Sequence, residues 1–225
     1  MTDRAELRQP PARFVSLPSD ATALAISLFG AIALGLAGAL GDTVTQDGPS
    51  DALSPMEQVF ATIGNRPSTW AVMAFAIGAV AGGWARAAVL ATIAMVSAVV
   101  VYCLSIQVFA IRPGVDSSSL RDAGEVWSLA AIGAGLVFGI AGHAWRMGVL
   151  AAIAVGTVTS VFVFEAGLWL GDSRSWLSYS AIAIAILVPA ILLRSPVKFV
   201  VSMAVGLALA GTVGIAWEAF AEAAR

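Results

Sequence analysis

Charge is what this sequence has least of. Only 12% of its 225 residues are Asp, Glu, Lys or Arg, whereas 59% are apolar, and the mean hydropathy is +0.90. A water-soluble domain of this length would need roughly twice that charged fraction to cover its surface. The bilayer is therefore the expected solvent. Histidine and cysteine each occur once, as His143 and Cys103. One imidazole cannot build a metal site, and one thiol gives neither a disulfide framework nor a thiolate cluster. The shortage of histidine argues against seven-span hydrolases that hold zinc with several imidazoles, and no zincin motif or Ser-His-Asp set is present. No catalytic residue, metal or cofactor is expected. Lysine also occurs once, against eleven arginines. No basic patch with interleaved aromatics is available for nucleic acid. The arginine bias, with heavy use of Ala and Gly, fits a high-GC bacterial genome.

What is present is one pattern written twice. Trp70, Gly78 and Gly82 recur at a constant offset as Trp127, Gly135 and Gly139. After a short insertion, Arg86 recurs as Arg146, and the run from Val89 to Ala94 (VLATIA) recurs from Val149 to Ala154 (VLAAIA). Such order exceeds what composition alone produces. Each copy reads as a helical hairpin, two apolar segments reversing at an arginine. A third, weaker copy opens at Trp176, reverses at Arg194 and Lys198, and lacks the glycines.

The sequence thus predicts an all-α integral membrane protein of seven transmembrane helices, one leading helix plus three hairpins with an internal repeat. Residues 1–20 are polar, with Arg4, Arg8, Arg13, Pro10, Pro11 and Pro18, and are expected to form a tail. Residues 21–225 form a single transmembrane domain with spans at about 21–40, 69–84, 86–109, 127–144, 147–170, 176–193 and 197–220. Some twenty residues at 1.5 Å each cross the roughly 30 Å hydrocarbon core. A cleaved leader ending near Ala37-Gly38-Ala39 is the competing reading of the first span, although its apolar run exceeds a signal-peptide core. Residues 41–68 form the longest polar connection. Within it Leu53, Met56, Val59, Phe60 and Ile63 recur at helical spacing and predict a short amphipathic helix. Pro189 should bend the sixth span.

Charge gives the orientation. Arg4, Arg8, Arg13, Arg86, Arg146, Arg194 and Lys198 fall on one side, and the three short turns there carry no acid. By the positive-inside rule that side is cytoplasmic, with the amino terminus inside, in a bacterial inner membrane. Trp70, Trp127, Trp169, Trp176, Tyr179 and Trp217 fall at outer ends of spans, Trp84 and Trp145 at inner ends. These read as two aromatic belts.

Gly78 with Gly82 and Gly135 with Gly139 lie one turn apart, so each pair opens a flat stripe where another helix backbone can approach closely. Helix packing is their expected role. Apart from Glu218 at the end of the last span, Glu165 is the sole carboxylate inside a predicted span, and such a group costs about 2.5 to 3.5 kcal/mol at the bilayer centre. It lies roughly 27 Å along its helix from Met147, near the outer end, so an interfacial, solvated carboxylate is the first expectation. A ligand anchor at an outer mouth with Trp169, Trp217 and Glu218 is the functional alternative. His143 is expected to bond a backbone carbonyl or a lipid phosphate near the interface.

Residues 68–78 (STWAVMAFAIG), 137–146 (VFGIAGHAWR) and 161–167 (VFVFEAG) resemble a family of small actinobacterial multi-pass membrane proteins with a domain of unknown function. The likeness covers roughly residues 65–171 and implies an inner-membrane protein, with no activity or site to carry over. From repeated hairpins around Gly-lined interfaces, a small transporter or membrane-embedded binding component for a hydrophobic ligand is the first functional expectation. The alternative is a non-catalytic accessory or assembly subunit of a membrane complex. Expected partners are the lipid bilayer, a hydrophobic small molecule or a partner membrane protein.

Overall fold

The computed structural model describes residues 20–46, 63–64, 66–108, 117–148, 150–168, 170 and 175–223. Among them are seven helices and no strand: Asp20–Gln46 (α1), Pro67–Val80 (α2), Trp84–Val108 (α3), Ser117–Arg146 (α4), Ala151–Leu168 (α5), Ser175–Leu193 (α6) and Pro196–Ala223 (α7). Five segments are long and apolar enough to cross a bilayer: Ala21–Gly41, Trp84–Val108, Gly124–Arg146, Ala151–Leu168 and Pro196–Ile215. The apolar stretches of α2 and α6, Pro67–Val80 and Ser178–Leu193, are shorter. The chain is by this measure a membrane-integral helical protein. The expected tail and most of the expected amphipathic helix lie outside the described residues.

Several helix ends differ from those read off hydropathy, because backbone hydrogen bonding does not stop where apolarity does. α1 continues through polar residues to Gln46, and α4 begins at Ser117, ten residues before the predicted start at 127. α2 is shorter than the predicted 69–84. Ala81 turns extended, with φ −70° and ψ 143°, and closes the helix through its N–H to Ile77 and Gly78 carbonyls. α5 starts at Ala151 rather than 147, since Gly148 and Leu150 adopt φ of +71° and +53°, which no helix accommodates. α6 runs through Pro189.

Glycine decides which helices meet. Without a strong hydrophobic drive between helices in lipid, close van der Waals approach favours small residues. On α4, Gly135, Gly139 and Gly142 recur at spacings that keep one face, and that face wedges between α2 and α3. A Cβ at Gly135 would overlap the Thr92 backbone of α3. At Gly139 it would lie 2.6 Å from the Ala87 carbonyl oxygen and 2.7 Å from the Ala91 Cβ. Gly78 of α2 abuts the Gly139 backbone, and Gly142 abuts the Phe75 carbonyl. Gly82 departs from the expected packing role. It lies beyond the end of α2, and the nearest atom a Cβ there would meet is Arg86 Nη1 at 3.6 Å.

The same device recurs where the sequence repeat had faded. Gly156 of α5 lies against Ser202 and Val205 of α7, and Gly206 of α7 against Thr159 of α5. Gly35 of α1 lies against Ala98 and Val101 of α3. These pairings run α1 parallel to α3, α2 to α4 and α5 to α7. Hairpin partners consequently touch less than these three pairs do. α5 is the most shielded segment, buried on α2, α4, α6 and α7.

Candidate functional site

α2 has 14 residues, roughly 21 Å at 1.5 Å per residue, and both of its ends are closed by other parts of the chain. Every helix leaves N–H groups free at its start and carbonyls free at its end, and in hydrocarbon no water satisfies them. Arg66 is the N-cap in extended conformation and Pro67 follows at the first turn, where its missing N–H costs nothing. The Arg66 side chain offers no cap to its own helix. Glu165 of α5 does so instead.

The Glu165 carboxylate is wholly buried, at 0% exposure. Its Oε1 accepts the Ser68 backbone N–H at 2.6 Å, and its Oε2 accepts the Ser68 hydroxyl at 2.8 Å and Arg66 Nε–H at 2.9 Å. Arg66 Nη2 lies 2.9 Å from the same Oε2. Arg66 Nη1 donates to Ser180 Oγ of α6 at 3.2 Å. One carboxylate thus compensates a guanidinium and caps a helix start, where the macrodipole also favours negative charge.

The opposite end of α2 has the opposite charge. Arg146 of α4 donates through Nη1 to the carbonyls of Ala79 at 3.3 Å and Ala81 at 3.2 Å. His143 Nδ1 lies 3.3 Å from the Ala81 carbonyl, which as an acceptor requires the proton on Nδ1. The ring stands edge-on to Trp84, centroids 4.8 Å apart. A cation at a helix C-terminus is again the favourable sign. α2 is therefore a short helix held like a strut, with an acid at its start and a base at its end.

Between α2 and α6 runs an apolar groove of about 190 Å³, lined by Val72, Phe75, Val155, Val158, Val188, Ile191 and Leu192. α5 supplies its floor. Beyond one end lies the bridge from Arg66 to Glu165 and Ser180. At the other, Trp145 of α4 packs its ring on Phe75, centroids 5.8 Å apart, and donates Nε1–H to the Leu192 carbonyl at 3.4 Å. Ile191 is 68% exposed and Val72 40%, so the groove opens sideways.

Of the expected outer-mouth set, only the side chains of Glu165 and Glu218 are among the described residues. Glu165 is buried and paired rather than solvated, because the 66–68 segment covers it. Glu218 is exposed. Trp169 and the side chain of Trp217 lie outside the described residues. Ser178 is buried with no partner for its hydroxyl and is not among the groups holding Glu165. Trp70 and Trp145, expected in belts, turn inward: Trp70 Nε1–H donates to the Gly64 carbonyl at 2.9 Å. Trp84 and Tyr179 are exposed, as belt residues should be. Sequence reasoning missed Arg66 and Ser68 as Glu165's partners. The available signal was that a lone membrane acid demands a cation at its own depth, with Arg66 preceding a helix-starting proline.

A family model matches residues 16–222, almost the whole chain. The chain belongs to DUF6518, a family of unknown function. The match extends beyond residues 65–171 to include α1, α6 and most of α7. No curated protein matches this DUF6518 chain, and no solved structure does.

Proposed function

We propose that this protein is a small, non-catalytic membrane-embedded binding component, or simple transporter, for a hydrophobic ligand seated between α2 and α6. The observation that carries this reading is the groove. It is lined entirely by apolar side chains, opens toward lipid and is bounded lengthwise by polar contacts on both sides. The buried carboxylate and imidazole are engaged within the protein, Glu165 with Arg66 and Ser68 and His143 with a carbonyl, which supports a binding rather than a chemical role.

The proposal includes seven crossings, amino terminus cytoplasmic, in the inner membrane of an actinobacterium. Alternating helix direction and the basic turns support it. A reporter fused after Arg225 is expected to be active only outside the cell. Activity on the cytoplasmic side would remove either the seventh crossing or the orientation.

Native mass spectrometry of protein purified in mild detergent is expected to show one stoichiometric hydrophobic molecule, lost from the groove-filling variant Val188→Phe. A second reading, an accessory subunit, draws on α7, the least shielded of the long apolar segments, with Val197, Val200, Leu207 and Ile215 exposed. Recovery of one stoichiometric partner chain and no small molecule would decide for that reading.

A further inference from the structure

The groove lies toward the basic end of the bundle. Val188, Ile191 and Leu192 fall within the last two turns of α6, which ends at Leu193, and Val155 is one turn from the start of α5. Arg194 follows directly, exposed, with a left-handed φ of +46° that fixes the reversal into α7, and Lys198 is exposed in the first turn of α7. On the opposite lip, Trp145 spans from Phe75 to Leu192, and its neighbour Arg146 is exposed while it caps α2. Arg86 is exposed in the adjoining turn. None of these turns carries an acid. An apolar channel thus leads into a rim of cations at one membrane surface.

A neutral hydrophobic molecule would use only the channel. An amphiphile with an apolar chain and an anionic head would use both, and each cation near a membrane surface attracts anionic lipid by about 1 kcal/mol. We infer that the ligand is an anionic phospholipid of the leaflet bordering the basic end, one acyl chain lying in the α2–α6 groove and its phosphate meeting Arg194, Lys198 and Arg146. The inference rests on the groove being a binding seat and names its occupant. The apolar length explains why no polar group lines the floor. The rim explains why exposed arginines flank the groove at this end, whereas at the other end Arg66 is occupied by Glu165 and Ser180.

The test is delipidated full-length protein titrated with dioleoyl phosphatidylglycerol or dioleoyl phosphatidylcholine and read by native mass spectrometry and thermal shift. Phosphatidylglycerol should be retained preferentially. Arg194→Asn, which keeps a residue that tolerates positive φ, and Lys198→Gln should each lower that preference about fivefold, leaving phosphatidylcholine binding unchanged. Val188→Phe should lower retention of both lipids. Arg146 is left intact because it caps α2. Equal binding of the two lipids, with Val188→Phe weakening both, would overturn the anionic assignment while leaving the hydrophobic seat standing. A charge-dependent preference that Val188→Phe leaves untouched would mean attraction of bulk lipid to the rim, and would overturn the seat as well.

Discussion

Glu165→Ala should destabilise the protein by about 3 to 5 kcal/mol, the usual consequence of removing one partner from a buried ion pair. The loss has two parts. Arg66, whose side chain is 11% exposed, would keep its charge without the carboxylate that compensates it, and the Ser68 N–H and hydroxyl would lose their acceptor inside the bundle. A double substitution separates them. Glu165→Gln keeps an acceptor for the Ser68 N–H but still removes the counter-charge of the guanidinium, so alone it should remain strongly destabilising. Combined with Arg66→Met, which removes the charge and keeps a long apolar stem, it should recover most of the lost stability. The measurement is the folded fraction against increasing denaturing detergent, with each variant expressed in the same membrane. A Glu165→Ala protein as stable as the parent would mean that the carboxylate neither caps α2 nor pairs Arg66. Failure of the double variant to recover would show that the uncompensated guanidinium is not the main source of the loss.

The second large effect is expected at Gly78. An alanine there places its Cβ inside the Gly139 backbone, where no side chain can swing aside, so α2 and α4 must separate along their contact. Overpacking costs about 1 to 3 kcal/mol, occasionally more, when neighbouring side chains adjust. Two backbones cannot adjust in that way, so Gly78→Ala should fall at or above the top of that range. Gly135→Leu, aimed at the Thr92 backbone, should disrupt the α4 wedge similarly. Gly82→Ala is the control. Its Cβ would make an ordinary contact, and stability should change by no more than about 0.5 kcal/mol. Thermal unfolding of the purified variants checks the ordering, and equal midpoints for Gly78→Ala and Gly82→Ala would show that the α2–α4 contact is not close.

The amino-acid sequence by itself determined the solvent, the helical class, the hairpin repeat and the segregation of basic turns to one end. These follow from composition, from apolar run length and from the spacing of Gly, Trp and Arg, all local quantities. It also marked Gly78, Gly135 and Gly139 as places for close approach, since a missing Cβ is a property of the residue. Which helix fills each gap was beyond it. Gly78 corresponds in the repeat to Gly135 yet meets Gly139, one turn away, because contact depends on how the helices cross, and crossing is set by every side chain along the interface. Glu165 shows the limit most clearly. Position along a helix placed it near the C-terminal end of its segment, and depth alone predicted a wetted carboxylate. Only the tertiary structure brought Arg66 and Ser68, about a hundred residues earlier in the chain, over that end. Desolvation is decided by whatever covers a group from elsewhere in the chain, and helical periodicity carries no record of that.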